Sequence, residues 1–182
     1  EVARYVFFIS GSGSVHGVSL ADGRQVVVKV HRPAVGRAFL EAVMDLRRGL
    51  VARGFSSPGV LAGPIELKGG LATAEELVVR SVPPEPHANR VRRVLAGGLS
   101  RFVQAAEGHR HRFEGIAHPM ATSAGSLYPP PHAVRLDFGV TARGAEWIDE
   151  LAEAAASRCV TTTKRVVVAH CDWRVENVSI SG

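Results

Sequence analysis

The chain has 182 residues, of which 46% are apolar and 21% charged, and a formal net charge of +5. This composition excludes a disordered or low-complexity chain and suits one large domain or two small lobes. Two cysteines, Cys159 and Cys171, exclude a disulfide framework and fit a reduced, cytoplasmic setting, and no apolar run reaches the length of a membrane span.

The opening EVARYVFFIS does not read as a signal peptide, because it lacks a basic leader and a cleavage site. Both ends are expected to be cuts from a longer protein. Tyr5 to Ile9 is predicted as a strand from its aromatic and branched residues. SGSGSVHGV follows as a glycine-rich loop, and then a second strand at Val18 to Leu20. Asp22-Gly23 makes a hairpin turn, and QVVVKV at 25–30 is the third strand. Strand alternation places Val27 and Lys29 on one face and Val26, Val28 and Val30 on the other.

Residues 37–53 form the first predicted helix, with Phe39, Val43, Leu46 and Leu50 on one side and Gly54 past its end. SSPGVLAGP reads as a loop, and 71–79 as a strand running to Pro83-Pro84. Arg90 to Ala106 reads as a basic helix with Val91, Leu95, Leu99 and Phe102 on one side. EGHRHRFEGIAHPM reads as irregular, and Pro129-Pro130-Pro131 as a stiff connector. A helix from about Thr141 to Ser157 carries Trp147, Ile148, Leu151 and Ala155 inward. The chain then ends with a strand at 166–169, a turn at 170–177 and a strand at 178–180. Strands precede helices, which predicts an α+β fold in two lobes divided near residues 80–86.

Three stretches carry candidate chemistry. Gly11 and Gly13 lie between two predicted strands, where backbone N–H groups can approach a phosphate. A Walker A loop and a Rossmann turn both open a helix, so neither fits; a plain hairpin turn stays open as an alternative. Lys29 sits alone among valines on the next strand, placed either to grip phosphates or to snorkel to solvent. Finally, HCDWRVEN at 170–177 puts His170, Asp172 and Asn177 in one turn. Asp172 and Asn177 are oxygen donors suited to a divalent cation, and Asp172 could accept a hydroxyl proton. A surface turn rich in Asp and Asn is the alternative.

Taken in order, GSGSVHGV, VVVKV, ATAEELVV and HCDWRVEN resemble the aminoglycoside phosphotransferase (choline kinase-like) branch of the protein-kinase-like fold, over about residues 5–182. The resemblance implies a β-rich lobe at 1–82 and a mainly helical, incomplete lobe at 83–182. It implies an ATP- and Mg²⁺-dependent transfer of the γ-phosphate to a hydroxyl of a small molecule. Lys29 would hold the α/β-phosphates, Val18 and Val27 would flank the adenine, and backbone around Glu75 to Leu77, Glu76 and Leu77 among them, would form the hinge. Asp172 would face the substrate hydroxyl, His170 would brace the turn, and Asn177 would bind Mg²⁺. Lys29 should pair with an acid on the first helix, Glu41 ahead of Asp45. His16 stands where the family pattern wants glycine, and Cys171 stands where it usually has one. Asp137-Phe138-Gly139 precedes the catalytic turn, the reverse of the kinase order, and is given no role.

A second metal-binding aspartate would follow Gly182, so these 182 residues alone are expected to be inactive or nearly so. A non-catalytic kinase-like module is the rival reading. A nucleic-acid binder is a third, resting on Arg90, Arg92, Arg93, Arg101 and HRHRF; the scarcity of lysines and the lack of an aromatic platform weigh against it. The His109, His111 and His118 group reads as loop histidines rather than a metal cluster. The acceptor and the oligomeric state are not specified by the sequence.

Overall fold

The structure, a computed structural model, describes residues 1–11, 13–78, 85–116, 128, 143–158 and 167–178. The fold is α+β. Five strands, β1 (Val2–Ser10), β2 (Gly13–Leu20), β3 (Gln25–His31), β4 (Val60–Leu67) and β5 (Gly70–Glu76), form one antiparallel sheet in the order β1-β2-β3-β5-β4. Helix α1 (Arg37–Ala52) lies between β3 and β4 in sequence. Helix α2 (Asn89–Ala106), a 3₁₀ helix at Glu107–Phe113 and helix α3 (Glu146–Arg158) follow the sheet. Among the described residues no helix is long and apolar enough to cross a membrane.

The first two strands are longer than their composition suggests. Most of the glycine-rich stretch is strand, and the turn between β1 and β2 is tight: the Gly11 N–H donates to the Gly13 carbonyl at 2.9 Å. Pairing drives this extension, because β1 offers Phe7 opposite Gly17 and Ile9 opposite Val15. The β2–β3 turn forms at Asp22-Gly23 as predicted, with Gly23 at φ 85°. A second correction concerns residues 60–67. Gly63-Pro64 suggested a loop, yet β4 runs through them as an edge strand whose pairing with β5 is irregular there. An edge strand with a bulge tolerates proline because one side of it needs no ladder donor.

Helix α1 is buried on two sides. The predicted stripe meets the helical region: Leu46 and Leu50 pack with Phe102 and Ala106, and Phe39 lies edge-on to Phe113 with centroids 6.3 Å apart. Leu40, Met44 and Arg47 follow at i, i+4, i+7 along another side; the first two are buried, and Arg47 reaches the sheet. On α2, Val91, Gly98, Phe102 and Ala106 are buried, the last three at i, i+4, i+8 along one side.

Three other expectations are corrected. The segment 107–113 expected to be irregular is a 3₁₀ helix. Helix α3 begins at Glu146, and its Trp147, Ile148 and Leu151 are exposed rather than inward. Residues 167–169 are not a strand; Val168 packs instead against the cluster of Leu46, Leu50, Phe102 and Ala106. The lobe divide near 80–86, the proline connector, Asp137-Phe138-Gly139, His118, Cys159 and residues 179–180 lie wholly or partly outside the described residues.

Phe102 touches both the α1 side of this cluster and the closing turn. Phe102→Ala should therefore cost roughly 3 kcal/mol of stability, measured by urea unfolding, and should disorder the 170–177 turn in amide hydrogen exchange.

Candidate functional site

The expected partner of Lys29 was an acid on the first helix, and the structure replaces it. Lys29 Nζ lies 2.6 Å from Glu75 Oε1. Lys29 sits opposite Thr73 and Val27 opposite Glu75, so the pair is a diagonal contact between β3 and β5 on one face of the sheet. Glu41 instead faces Arg37 at 3.9 Å with 55% of its side chain exposed, and Asp45 faces Arg48 at 3.2 Å and Arg112 at 3.6 Å. Both α1 acids are thus engaged by arginines rather than by Lys29.

Glu75 is only 7% exposed and holds two cations. Its Oε2 accepts a hydrogen bond from Arg47 Nη1 of α1, while Arg47 Nη2 donates to the Pro58 carbonyl at 2.9 Å. Burial pushes the Glu75 carboxyl up, but Lys29 and Arg47 together outweigh it and hold the group below the usual carboxylate range. His31 lies two residues from Lys29 on the same face and meets Thr73 Oγ1 at 2.9 Å. Burial, then the charge of Lys29, pushes its imidazole below the ordinary value against a smaller pull from Glu75. Lys29, Arg47 and Glu75 therefore sum to one positive charge beside a histidine kept neutral.

The glycines have structural duties. A Cβ on Gly13 would lie 2.5 Å from the Val30 carbonyl oxygen, and one on Gly17 would enter the Phe7 ring at 2.3 Å. Gly11 has open space around it. His16, the residue that breaks the glycine pattern, packs between Tyr5 and Phe8 at centroid distances of 6.2 and 5.0 Å and meets Ser14 Oγ at 2.9 Å. Val18 and Val27 are both buried, but the register pairs Val18 with Val26 and Gly17 with Val27. The two valines thus lie on opposite faces and cannot flank one ring together. At the end of β5 the Glu76 N–H donates to the Gly59 carbonyl at 2.9 Å and the Leu77 N–H to the Gln25 carbonyl at 3.1 Å. Both hinge donors are already committed. Glu76 and Leu77 also line an open cleft of about 280 Å³ with Arg24, Gln25, Leu61 and Val78.

The 170–177 turn is seated on α2. Trp173 Nε1–H donates to the Leu95 carbonyl at 2.9 Å, and its ring occupies the space a Cβ on Gly98 would need. The exposed His170 ring stands edge-on to Phe102 and Trp173 at 5.9 and 5.4 Å. Val175 is buried beneath the turn. Cys171 adopts φ 61°, the left-handed conformation that ordinarily favours glycine. The turn brings Asp172 and Asn177 together: Asn177 Nδ2 donates to Asp172 Oδ2 at 2.6 Å and to the Asp172 carbonyl at 3.0 Å. Both partners are acceptors, which fixes the amide orientation and turns Asn177 Oδ1 away from them. Arg174 Nε holds Asp172 Oδ1 at 3.1 Å.

Oxygen from Asn177 and carboxylate from Asp172 are the donor types that Mg²⁺ takes. Among the described residues no group of three or more His, Cys, Asp or Glu side chains is placed to hold a metal ion.

No model of a known protein family matches the chain, and no curated protein is significantly similar to it.

The folded pKa of Glu75 lies below its unfolded value of about 4.3, so the stability its pairing contributes is complete above that value. It is lost as pH falls through the lower folded value. Glu75→Gln should cost about 3 kcal/mol near neutral pH, and the gap to the parent should close in acid. Urea unfolding of both proteins from about pH 7 to about pH 3 measures it, and a gap constant with pH would contradict the assignment.

Proposed function

We propose that the chain belongs to an ATP-dependent phosphotransferase that transfers the γ-phosphate to a hydroxyl of a small molecule, similar to the aminoglycoside phosphotransferase and choline kinase group. The observation that carries this reading is Lys29. It is not a snorkelling surface lysine: a buried carboxylate holds it on the strand that follows the glycine turn, and 38% of its side chain remains exposed to meet a ligand. An ammonium fixed in this way suits the α- and β-phosphates of a nucleotide. The order of glycine hairpin, strand lysine, helix, two strands and a distal Asp–Asn turn supports the same reading.

In this scheme Lys29 binds and orients the phosphate chain. Asp172 accepts the proton of the acceptor hydroxyl as its oxygen attacks the γ-phosphorus in line, and the bond from the γ-phosphorus to the β–γ bridging oxygen breaks, so that ADP leaves with that electron pair. Arg174 and Asn177 orient the Asp172 carboxylate, and His170 keeps the turn against α2. Asn177 Oδ1 would hold Mg²⁺, which when bound neutralises charge on the phosphates.

The non-catalytic rival has its own support. Gly13 and Gly17 are required by packing alone, the N–H groups of Glu76 and Leu77 are occupied, and Val18 and Val27 are on opposite faces. Under that reading the cluster around Glu75 is purely structural.

Thermal shift separates the two. Mg·ATP should raise the melting temperature of this chain by a few degrees and leave Lys29→Ala unmoved, while circular dichroism shows both folded. No shift in a folded parent would favour the non-catalytic module.

A further inference from the structure

The acid that holds Lys29 is itself held. Glu75 offers one oxygen to Lys29 and the other to Arg47, so each carboxylate oxygen has its own cation. Arg47 is pinned at two points, Glu75 and the Pro58 carbonyl, which fixes the plane of its guanidinium; 20% of its side chain is exposed. The acids of α1 are engaged with Arg37, Arg48 and Arg112, so α1 communicates with the strand lysine through a cation.

We propose that Arg47 is a positioning residue for the phosphate site: from α1 it fixes Glu75, and Glu75 in turn fixes the Lys29 ammonium. This inference rests on the reading of Lys29 as a phosphate ligand. Two effects act in the same direction. Without Arg47, both oxygens of Glu75 are free to close on Lys29 and turn its donors away from a ligand. The remaining pair also sums to zero charge, whereas the three groups together keep one positive charge for a polyphosphate. A shift of α1 that withdrew Arg47 would therefore weaken phosphate binding without touching the ligand.

The chain has only three lysines, Lys29, Lys68 and Lys164, so ammonium ¹H–¹⁵N spectra are readily assigned with Lys29→Arg. The parent should show a slowly exchanging Lys29 ammonium signal that is lost in Glu75→Gln and moves in Arg47→Met, where both Glu75 oxygens close on it. Calorimetry should show Arg47→Met binding Mg·ATP about tenfold more weakly, with Arg47→Lys in between. Arg47→Lys also carries the test if Arg47→Met fails to fold. A Lys29 signal absent from the parent, or a signal and affinity unchanged in the Arg47 variants, would overturn the proposal, since a merely structural arginine would alter stability alone. A moved signal in Arg47→Met in a chain that binds no Mg·ATP would keep the hold on Lys29 and remove the nucleotide reading instead.

Discussion

A carboxylate that is almost fully buried must be matched by cations, and Glu75 sets that demand at the centre of this protein. Lys29 answers it from β3 and Arg47 from α1. The match fixes where α1 lies against the sheet, because the guanidinium must reach both Glu75 and the Pro58 carbonyl. Helix α1 then presents Leu46 and Leu50 to Phe102 and Ala106 on α2. One electrostatic requirement on the sheet is thereby linked to the packing of the helical region.

That packing ends at the closing turn. Trp173 ties the turn to the α2 backbone, the rings of His170 and Phe102 lie against it, and Val175 is buried below. The aromatic side of the turn is thus anchored while its polar side, with Asp172, Arg174 and Asn177, faces solvent. An anchored base and an exposed, mutually hydrogen-bonded Asp–Asn pair is an arrangement that can present oxygen donors without folding cost at the moment of binding.

Much of this was legible in the residues. The three strands before α1, both long helices and the side of α1 that meets α2 follow from alternation and helical spacing. Lys29 and the Asp172–Asn177 turn were identifiable because their residue types stand out from their surroundings. Strand β4 was hidden by Gly63-Pro64, whose effect depends on lying at a sheet edge. The partner of Lys29 was hidden for a similar reason. Nothing local distinguishes Glu75 from Glu76, and only the register of β3 with β5 turns Glu75 toward Lys29. Register also separates Val18 from Val27, since a single-residue offset moves a side chain to the opposite face. No resolved strand was found at 167–169, where Val168 is claimed by the helical cluster rather than by a sheet neighbour.

The glycines bear on how such a chain would change over generations. Gly13 and Gly17 are retained by the Val30 carbonyl and the Phe7 ring, whatever binds nearby. Asp172 and Asn177 are exposed and hold up no core. If selection for chemistry were relaxed, Gly13 and Gly17 would persist under selection for folding, while Gly11, the aspartate and the asparagine would be free to drift. In descendants of this chain, the polar face of the closing turn would record whether selection acted on chemistry there, and Gly13 and Gly17 only selection for the fold.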